Sequence, residues 1–370
     1  SLLCDPRCRI ARLGDPFLRA TEALERSPRI AAAFHLLVNG VLWPDRHRIW
    51  ASRVLKQVRA HAGRYDRVLV FVFPPSLLLA GAHPGLVDHR WVYDMQESVS
   101  PQFARYPRRS PLQRRLTSRL AELEKNTLHQ AGKIIFTADT NRQAYVEAGL
   151  VPKDRAVHIP HFYDATLLAD SIDVRHGFEI SYYGNFDLRG HRNPHVFFRA
   201  LRLFIDRNPE ARDATRFTFH GTWLRQHASA IRHYGLEDNV SIQSPLSLEE
   251  YFASVRQSPI LLLVAAPEHN LFMPSKAIDY VATGRPILAF APQDSEVADL
   301  LRHTGHSETL LAESDVHGGT LALERLWSQH LAGHLRAPRP ASAEYSTTAV
   351  MPAYLDAITR NCRGNGHDAV

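Results

Sequence analysis

The sequence predicts an α/β protein built from two doubly wound parallel lobes. Short β-branched or aromatic runs alternate with turn signals and amphipathic stretches of about 10 to 18 residues, the pattern of parallel α/β layers. The chain has 370 residues, which suits two domains of about 150 to 200 residues each. Hydrophobic residues make up 45% and charged residues 22%, the balance of a globular protein with a sizeable core. Fibrous, disordered and repeat architectures are therefore disfavoured.

The first lobe is predicted to comprise residues 1–165. The predicted strands are Arg67–Phe73, Trp91–Tyr93 and Lys133–Thr137, and the predicted helices are Pro111–Gln130 and Asn141–Ala148. In the longer helix, leucines recur near the helical period at Leu112, Leu116, Leu120, Leu123 and Leu128. Gly149 stands just past the second helix, where C-terminal caps favour glycine.

The second lobe is predicted to comprise residues 166–344 and to repeat the same alternation. The predicted strands are Glu179–Tyr183, Arg216–His220, Val240–Gln243, Ile260–Val264 and Pro286–Phe290. The predicted helices are Pro194–Asp206, Leu224–Tyr234, Ser247–Val255, Ser275–Ala282 and Ser295–His303. Because open α/β sheets bind ligands beyond the carboxyl ends of their strands, the loops that follow these strands are the places to search for chemistry.

Several classes of protein are disfavoured by the composition. The longest apolar run, Val68–Ala82, is broken by two prolines and is shorter than the roughly 18 residues that span a bilayer. No secretory signal pattern follows Ser1, and the 3 cysteines form neither a disulfide framework nor a zinc site. The 21 histidines show no metal-ligand spacing. We therefore expect a cytoplasmic protein that uses no metal.

The positive charge is concentrated in the first lobe. Counting Lys and Arg against Asp and Glu, residues 1–165 carry +10 and residues 166–370 carry −4. This asymmetry indicates an anionic partner for the first lobe, such as a membrane surface or an anionic glycan; an Arg-rich proteome is the alternative. Nucleic acid is disfavoured because neither an RNA-binding aromatic motif nor a helix-turn-helix pattern accompanies the basic residues.

The segment from Met273 to Ala289 is the most informative. Pro274 and Ser275 open a helix whose free N–H groups and dipole favour an anion, and Lys276 adds a positive charge there. Asp279, one turn later, can accept hydrogen bonds from hydroxyls such as those of a ribose. These residues predict a phosphate site, with a solvated helical face as the alternative.

This segment, Pro274-Ser275-Lys276 with Asp279-Tyr280 and then Gly284-Arg285-Pro286-Ile287, resembles the donor-binding helix of nucleotide-sugar glycosyltransferases of the GT-B fold, especially glycosyltransferase family 4. Ile159-Pro160-His161 and Tyr182-Tyr183-Gly184-Asn185 resemble other segments of that family, in the family's order. The resemblance implies two Rossmann-like lobes that face each other across a cleft, with the donor on the second lobe and the acceptor on the first. It also implies a terminal helix, Tyr345–Arg360, within residues 345–370 that return to the first lobe.

The resemblance also implies which residues bind the donor. The diphosphate would be held by Arg192 and Lys276, with Arg189 as a further cation. Where many family members carry two glutamates eight positions apart, this chain has Leu271 and Asp279, and the loop residues ahead of the helix could replace the missing contact. The other predicted donor-binding residues are Gly184, Asn185, Glu268, His269, Asn270, Pro274 and Ser275, and the base is expected beside Gln243, Ser244 and Leu246.

On the first lobe, Asp94 and Glu97 follow a predicted strand and are candidates to orient the acceptor hydroxyl or remove its proton. Alternatively, Asp94 caps a turn and Glu97 is solvated. The resemblance implies retention of configuration, which needs no protein base. The sequence contains no Asp-x-Asp motif, which holds the metal in single-lobe glycosyltransferases, so neither a catalytic metal nor another cofactor is expected.

From Ser98 to Ala121 the chain has no acidic residue and many arginines. The predicted membrane or acceptor patch consists of Arg105, Arg108, Arg109, Arg114 and Arg115. Such basic, partly amphipathic segments bind anionic lipid headgroups, at about 1 kcal/mol per cation near the surface. A solvated helix with leucines toward the core is the alternative.

The functional prediction is a glycosyltransferase that moves a sugar from a UDP- or GDP-sugar to a glycan or lipid-linked acceptor, in cell-envelope or exopolysaccharide biosynthesis. It would act in the cytoplasm, peripheral to the inner face of the membrane. A nucleotide-sugar 2-epimerase on the same fold is one alternative. A non-catalytic, degenerate glycosyltransferase that serves as an assembly partner is another.

Overall fold

The computed structural model describes residues 13, 42–100, 110–164, 174–186, 192–222, 225–265, 271–335 and 343–360, except the side chains of residues 62 and 225. The chain divides into two compact units. The first unit takes the chain up to residue 137, residues 141–158 and the chain from 355, and the second takes 138–140 and 159–354. Each unit has its own parallel sheet, which confirms the predicted α/β class.

The first unit contains a four-stranded parallel sheet in the order β1-β2-β3-β4. Its strands are β1 (Val68–Phe71), β2 (Trp91–Met95), β3 (Lys133–Phe136) and β4 (Ala156–His158). Its helices are α1 (Arg48–His61), α2 (Pro111–Leu128) and α3 (Asp139–Glu147), and a 3₁₀ helix covers Pro75–Ala82. Among the described strands of this sheet, spatial order follows chain order without a reversal.

Helix α2 begins at a capping box. The Ser110 hydroxyl accepts from the Gln113 backbone N–H at 3.2 Å, and the Gln113 side chain accepts from the Ser110 N–H at 3.0 Å. The apolar face of α2 packs on the core only in its second half, where Leu120 and Leu128 are buried. Leu112 is 58% exposed, so the alternative in which the leucines of this helix face the core does not hold at its first turn.

A buried carboxyl group ties three segments of the first unit together. Glu124 on α2 is fully buried and accepts hydrogen bonds from the Ser100 N–H at 3.1 Å and from the Tyr145 hydroxyl at 2.5 Å. The Ser100 hydroxyl donates to the same carboxyl group, and the Val99 N–H donates to the Tyr145 hydroxyl at 2.8 Å. Burial raises the pKa of Glu124 to about 7 against the hydrogen bonds that lower it.

We expect Glu124→Gln to change how stability depends on pH. Between about pH 4.5 and 7 the unfolded chain loses the Glu124 proton while the folded chain keeps it, so wild-type stability falls as pH rises through that window. The variant lacks this titration. Urea unfolding of both proteins at several pH values should therefore show the wild type losing stability relative to the variant up to about pH 7. A difference that stays constant with pH would contradict the buried-carboxyl assignment.

The second unit contains a six-stranded parallel sheet in the order β7-β6-β5-β8-β9-β10. Its strands are β5 (Phe178–Tyr183), β6 (Thr215–His220), β7 (Val240–Gln243), β8 (Ile260–Val264), β9 (Ile287–Phe290) and β10 (Leu310–Leu311). Its helices are α4 (His195–Arg207), α5 (Arg225–Tyr234), α6 (Leu248–Gln257), α7 (Ser275–Ala282), α8 (Glu296–His303) and α9 (Val316–Leu331). The strand order reverses between β5 and β8, so a crevice for ligands is expected at the carboxyl ends of these two strands.

Both faces of the second sheet are covered. On one face a large aromatic cluster packs against α4 and α9, with Phe178, Phe198 and Phe217 among its buried members. On the other face, Ile278 of α7 and Leu301 of α8 pack beneath the sheet. Strands buried on both faces read as continuous apolar runs, as β8 does with Ile-Leu-Leu-Leu-Val.

Two chain segments at the boundary of the second unit are hydrogen-bonded to each other. The Tyr163 N–H donates to the Tyr345 carbonyl at 2.9 Å, and the Thr347 N–H donates to the Tyr163 carbonyl at 2.9 Å. Thr347 opens the last helix, α10 (Thr347–Thr359), whose end belongs to the first unit. There the Arg67 guanidinium donates to the Ile358 and Thr359 carbonyls at 2.7 and 3.0 Å.

Every predicted helix and strand is present, with ends that differ by a few residues. Four elements were not predicted from the sequence: α1, α9, β4 and β10. The two missed strands are short, and β10 has only two residues, so neither shows a pattern of its own. No helix within the described ranges is long and apolar enough to span a membrane.

Candidate functional site

The loops after β5 and β6 approach each other through two glycines. The Gly184 N–H donates to the His220 carbonyl at 2.9 Å, and Gly184 has a φ of +125°, which side chains rarely tolerate. A Cβ at Gly221 would stand 2.2 Å from the Gly184 carbonyl oxygen. Both positions therefore require glycine, and together they keep the carboxyl end of β5 open.

Asn185 stabilises the same loop through two hydrogen bonds. Its side-chain oxygen accepts from the Thr222 N–H at 2.9 Å, and its carbonyl accepts from the Tyr182 hydroxyl at 3.3 Å. The side-chain oxygen is thus occupied by the backbone of the neighbouring loop. Its predicted role in donor binding stays a prediction.

Lys276, in the first turn of α7, lies at the carboxyl end of β5. Its Nζ donates to the Tyr182 hydroxyl at 3.1 Å and to the Tyr183 carbonyl at 3.2 Å, and it lies 4.2 Å from the centroid of the Tyr182 ring. A Cβ at Gly184 would be 3.4 Å from this ammonium group. The loop glycine therefore leaves space beside the charge.

Arg192 adds a second positive charge close to the first. Its side chain is exposed, and its charge helps to lower the pKa of Lys276 and opposes the rise that burial causes in the pKa of Tyr182. Burial first and Arg192 second lower the pKa of Lys276 to about 7. Neither cation forms an ion pair within the part of the chain that the structure describes. We call Lys276 and Arg192 the cation pair.

The start of α7 complements the cation pair. Pro274 supplies no side-chain cap to the first turn, where the Ala277 N–H donates to the Pro274 carbonyl at 2.9 Å. Free N–H groups at a helix N-terminus, an ammonium and a guanidinium are the donors that bind phosphate. The carboxyl end of β5 thus has the chemistry of a polyanion site.

Asp279 follows one turn after Lys276. It is half-buried, and its Oδ2 accepts from the Tyr251 hydroxyl of α6 at 3.0 Å. Burial raises the pKa of Asp279 to about 6, and the hydrogen bond from Tyr251 acts in the opposite direction. A carboxylate so placed can accept a hydrogen bond from a ligand hydroxyl.

His220 is a residue that sequence reasoning did not single out. It is 8% exposed, its ring stacks on Tyr183 with centroids 4.6 Å apart, and its two nitrogens have no hydrogen-bond partner among the described groups. Burial, together with Arg175, lowers its pKa to about 4, so the ring is neutral at neutral pH. Tyr182 and Tyr251 were missed as well, because their roles depend on contacts distant in sequence.

No family model and no curated protein matches the chain. Among solved structures, HepE of Anabaena in complex with UDP and glucose is similar, with a TM-score of 0.62, 14% identity, 83% of this chain covered and 81% of that one. WaaG, a glycosyltransferase involved in lipopolysaccharide biosynthesis, has a TM-score of 0.62 and 17% identity, over 85% of this chain and 83% of that one. Sucrose-phosphate synthase from Thermosynechococcus elongatus has a TM-score of 0.59 and 15% identity, over 84% and 78%.

The chain has the GT-B fold. This confirms the GT-B assignment, which rested on the resemblance of the Pro274-Ser275-Lys276 segment. At 10 to 17% identity the likeness concerns the fold and not the reaction.

The predicted base-binding residues lie at and beyond the carboxyl end of β7. Gln243 and Ser244 are exposed, Leu246 is half-buried, and the Gln243 amide donates to the Ser241 hydroxyl at 3.0 Å. Ser275 is exposed in the first turn of α7. Four predicted donor-binding residues lie outside the described residues: Arg189, Glu268, His269 and Asn270.

The prediction that Asp94 follows a strand is wrong. β2 continues through Asp94 because it pairs with Phe71 on one side and Ile135 on the other, and the residue is 1% exposed. The Gln96 amide donates to Asp94 Oδ1 at 3.3 Å. Glu97 is exposed just beyond the strand. Their roles toward an acceptor stay predictions.

Only part of the predicted membrane or acceptor patch can be located. Arg114 and Arg115 are exposed on the first turns of α2, next to the exposed Leu112. The other three arginines, Arg105, Arg108 and Arg109, lie outside the described residues. The described part therefore presents two cations and one apolar side chain at one helix end.

We expect Lys276→Met to stabilise the protein in a pH-dependent way. The folded chain releases the Lys276 proton near pH 7, whereas the unfolded chain keeps it to about pH 10.5, so wild-type stability rises with pH over that window. Below pH 7 the wild type retains a desolvated charge that the variant lacks. Urea unfolding at pH 6 and pH 9 should show a larger advantage of the variant at pH 6. A stability advantage of Lys276→Met that grows with pH would contradict a lowered pKa for Lys276.

Proposed function

We propose that this chain is a glycosyltransferase that transfers a sugar from a nucleoside-diphosphate sugar to a glycan or lipid-linked acceptor. The observation that carries the proposal is the cation pair at the carboxyl end of β5. Two positive groups without a carboxylate partner among the described residues stabilise a polyanion better than a neutral ligand. They lie next to the reversal of strand order, where open α/β sheets bind ligands.

The chemistry follows from where charge develops. As the bond between the sugar and the diphosphate breaks, negative charge accumulates on the departing diphosphate, and Lys276 and Arg192 stabilise it. Transfer with retention places the acceptor hydroxyl on the face that the diphosphate leaves, so the diphosphate itself can take the proton. We infer that these two cations supply the charge stabilisation without a metal.

The solved relatives favour uridine as the donor base. HepE of Anabaena is in complex with UDP-glucose in one structure and with UDP and glucose in another. WaaG, involved in lipopolysaccharide biosynthesis, supports a role in cell-envelope polysaccharide assembly. We infer the same substrate class here, with the acceptor on the first unit and the enzyme on the cytoplasmic face of the membrane.

The donor site is tested by a thermal-shift panel of UDP, GDP, ADP, dTDP and CMP. A ligand at about 100 times its dissociation constant stabilises a protein by about 2.7 kcal/mol, so one diphosphate should raise the melting temperature clearly. Lys276→Ala and Arg192→Ala should each reduce the shift strongly, because each weakens nucleotide binding. Arg199→Ala, which removes an exposed arginine from α4, is the matched control and should preserve it.

The reaction is tested by product analysis with the preferred donor. Release of nucleoside diphosphate together with glycosylated acceptor supports transfer. An epimerised nucleotide sugar would support the 2-epimerase instead, and a chain that binds none of the panel would disprove the donor site.

The membrane role is tested with vesicles. We expect Arg114→Glu/Arg115→Glu to weaken binding to phosphatidylglycerol vesicles, measured by co-sedimentation, by at least about thirtyfold, because each cation near an anionic surface contributes about 1 kcal/mol and reversal adds repulsion. Lys56→Glu/Arg59→Glu on α1 makes the same change in net charge at exposed positions and should bind nearly as wild type. Equal losses in the two variants would indicate a non-specific charge effect.

A further inference from the structure

We propose that Tyr251 is a positioning residue that fixes the Asp279 carboxylate toward a ribose hydroxyl of the bound nucleotide, and that this pair selects ribonucleotides over deoxyribonucleotides. The proposal rests on the proposed donor site. It adds a specificity determinant that lies outside α7, on the preceding helix.

One carboxylate oxygen of Asp279 accepts a hydrogen bond from the protein, and the other is available to a ligand. Oδ2 accepts from the Tyr251 hydroxyl at 3.0 Å. Asp279 has no other hydrogen bond within the described ranges, and its side chain is only half-buried. Because an ionised carboxylate only accepts hydrogen bonds, the remaining Oδ1 calls for a donor such as a hydroxyl.

The Tyr251 side chain is held in place by two neighbouring aromatic rings. It packs edge-on against Tyr183, with centroids 5.5 Å apart at 83°, and against Phe252 at 5.1 Å. The Tyr183 hydroxyl is in turn within 2.8 and 2.7 Å of the Ser254 and Ser258 hydroxyls of the α6 region. The phenol that orients Asp279 is therefore fixed by packing on β5 and α6.

Tyr183 connects the Tyr251–Asp279 pair to the cation pair. Lys276 donates to the Tyr183 carbonyl at 3.2 Å, and the Tyr251 ring packs on the Tyr183 side chain. Lys276 and Asp279 are also three residues apart on α7, so they lie on neighbouring positions of one helix face. A ligand that places its phosphates against Lys276 therefore brings its ribose to the level of Asp279.

The physical basis of selection is the cost of an unpaired acceptor. When the bound ligand lacks the hydroxyl, it shields Asp279 Oδ1 from water without offering it a hydrogen-bond donor. Sites that bind a hydroxyl therefore strongly reject analogues without it. Tyr251 reinforces this effect because its hydrogen bond stabilises the ionised form of a carboxyl group whose pKa burial raises to about 6.

The experiment compares UDP, 2′-deoxy-UDP and 3′-deoxy-UDP by calorimetry, or the corresponding series of whichever base the thermal-shift panel selects. The wild type should bind the ribonucleotide at least about tenfold more tightly than one deoxy analogue. Tyr251→Phe should reduce this ratio to below about threefold while binding of that deoxy analogue stays unchanged. Asp279→Asn should do the same, and the double variant should show no further loss.

Two controls separate selection from damage to the fold. Tyr234→Phe removes a hydroxyl that lies 3.1 Å from His195 elsewhere in the second unit, and it should keep the wild-type ratio. Lys276→Ala should weaken ribo- and deoxyribonucleotides by the same factor, since it acts on the phosphates.

A Tyr251→Phe variant that loses both ligands equally would show that Tyr251 only supports packing, and the proposal would fail. A wild type that binds all three ligands equally would show that Asp279 does not face the ribose. Absence of binding by any nucleotide would instead overturn the donor site itself, so the two failures are distinguishable.

Discussion

The ammonium group of Lys276 is the constraint around which the second unit is arranged. It is desolvated beside another cation, and the described residues offer it a phenol oxygen, a carbonyl and a ring face but no carboxylate. Such a charge costs folding free energy, which a protein retains where a ligand supplies the missing counter-charge. Gly184 leaves space beside this charge, because a Cβ there would stand 3.4 Å from the ammonium nitrogen, and Gly221 lets its own loop approach the Gly184 carbonyl.

Local signals in the sequence were sufficient for the α/β class and for most of its helices and strands, because these signals agree with one another. Capping residues, apolar runs and glycines at turns all indicate the same alternation, and the capping boxes at Ser110 and Ser247 begin helices where the sequence suggests. It failed at Asp94 because a carboxylate in an apolar run resembles the end of a strand. Only pairing on both sides shows that β2 continues through it.

The site was predictable only where its residues are close in sequence. Lys276 and Asp279 share one helix, so their spacing could be read directly. Tyr182, Tyr251 and His220 come from three other elements, and sheet order is what brings them together. The hydrogen bond from the Tyr251 hydroxyl to Asp279 could not be predicted from sequence periodicity, because the two residues are 28 positions apart.

The first unit is discontinuous in the chain, and this has a consequence for biosynthesis. The guanidinium of Arg67, placed just before β1, is bound by carbonyls of Ile358 and Thr359 at the far end of the chain, 291 and 292 positions away. A ribosome therefore releases this unit first and completes it last, after the whole second unit has emerged. During translation the first unit therefore lacks these two contacts until the second unit has been synthesised.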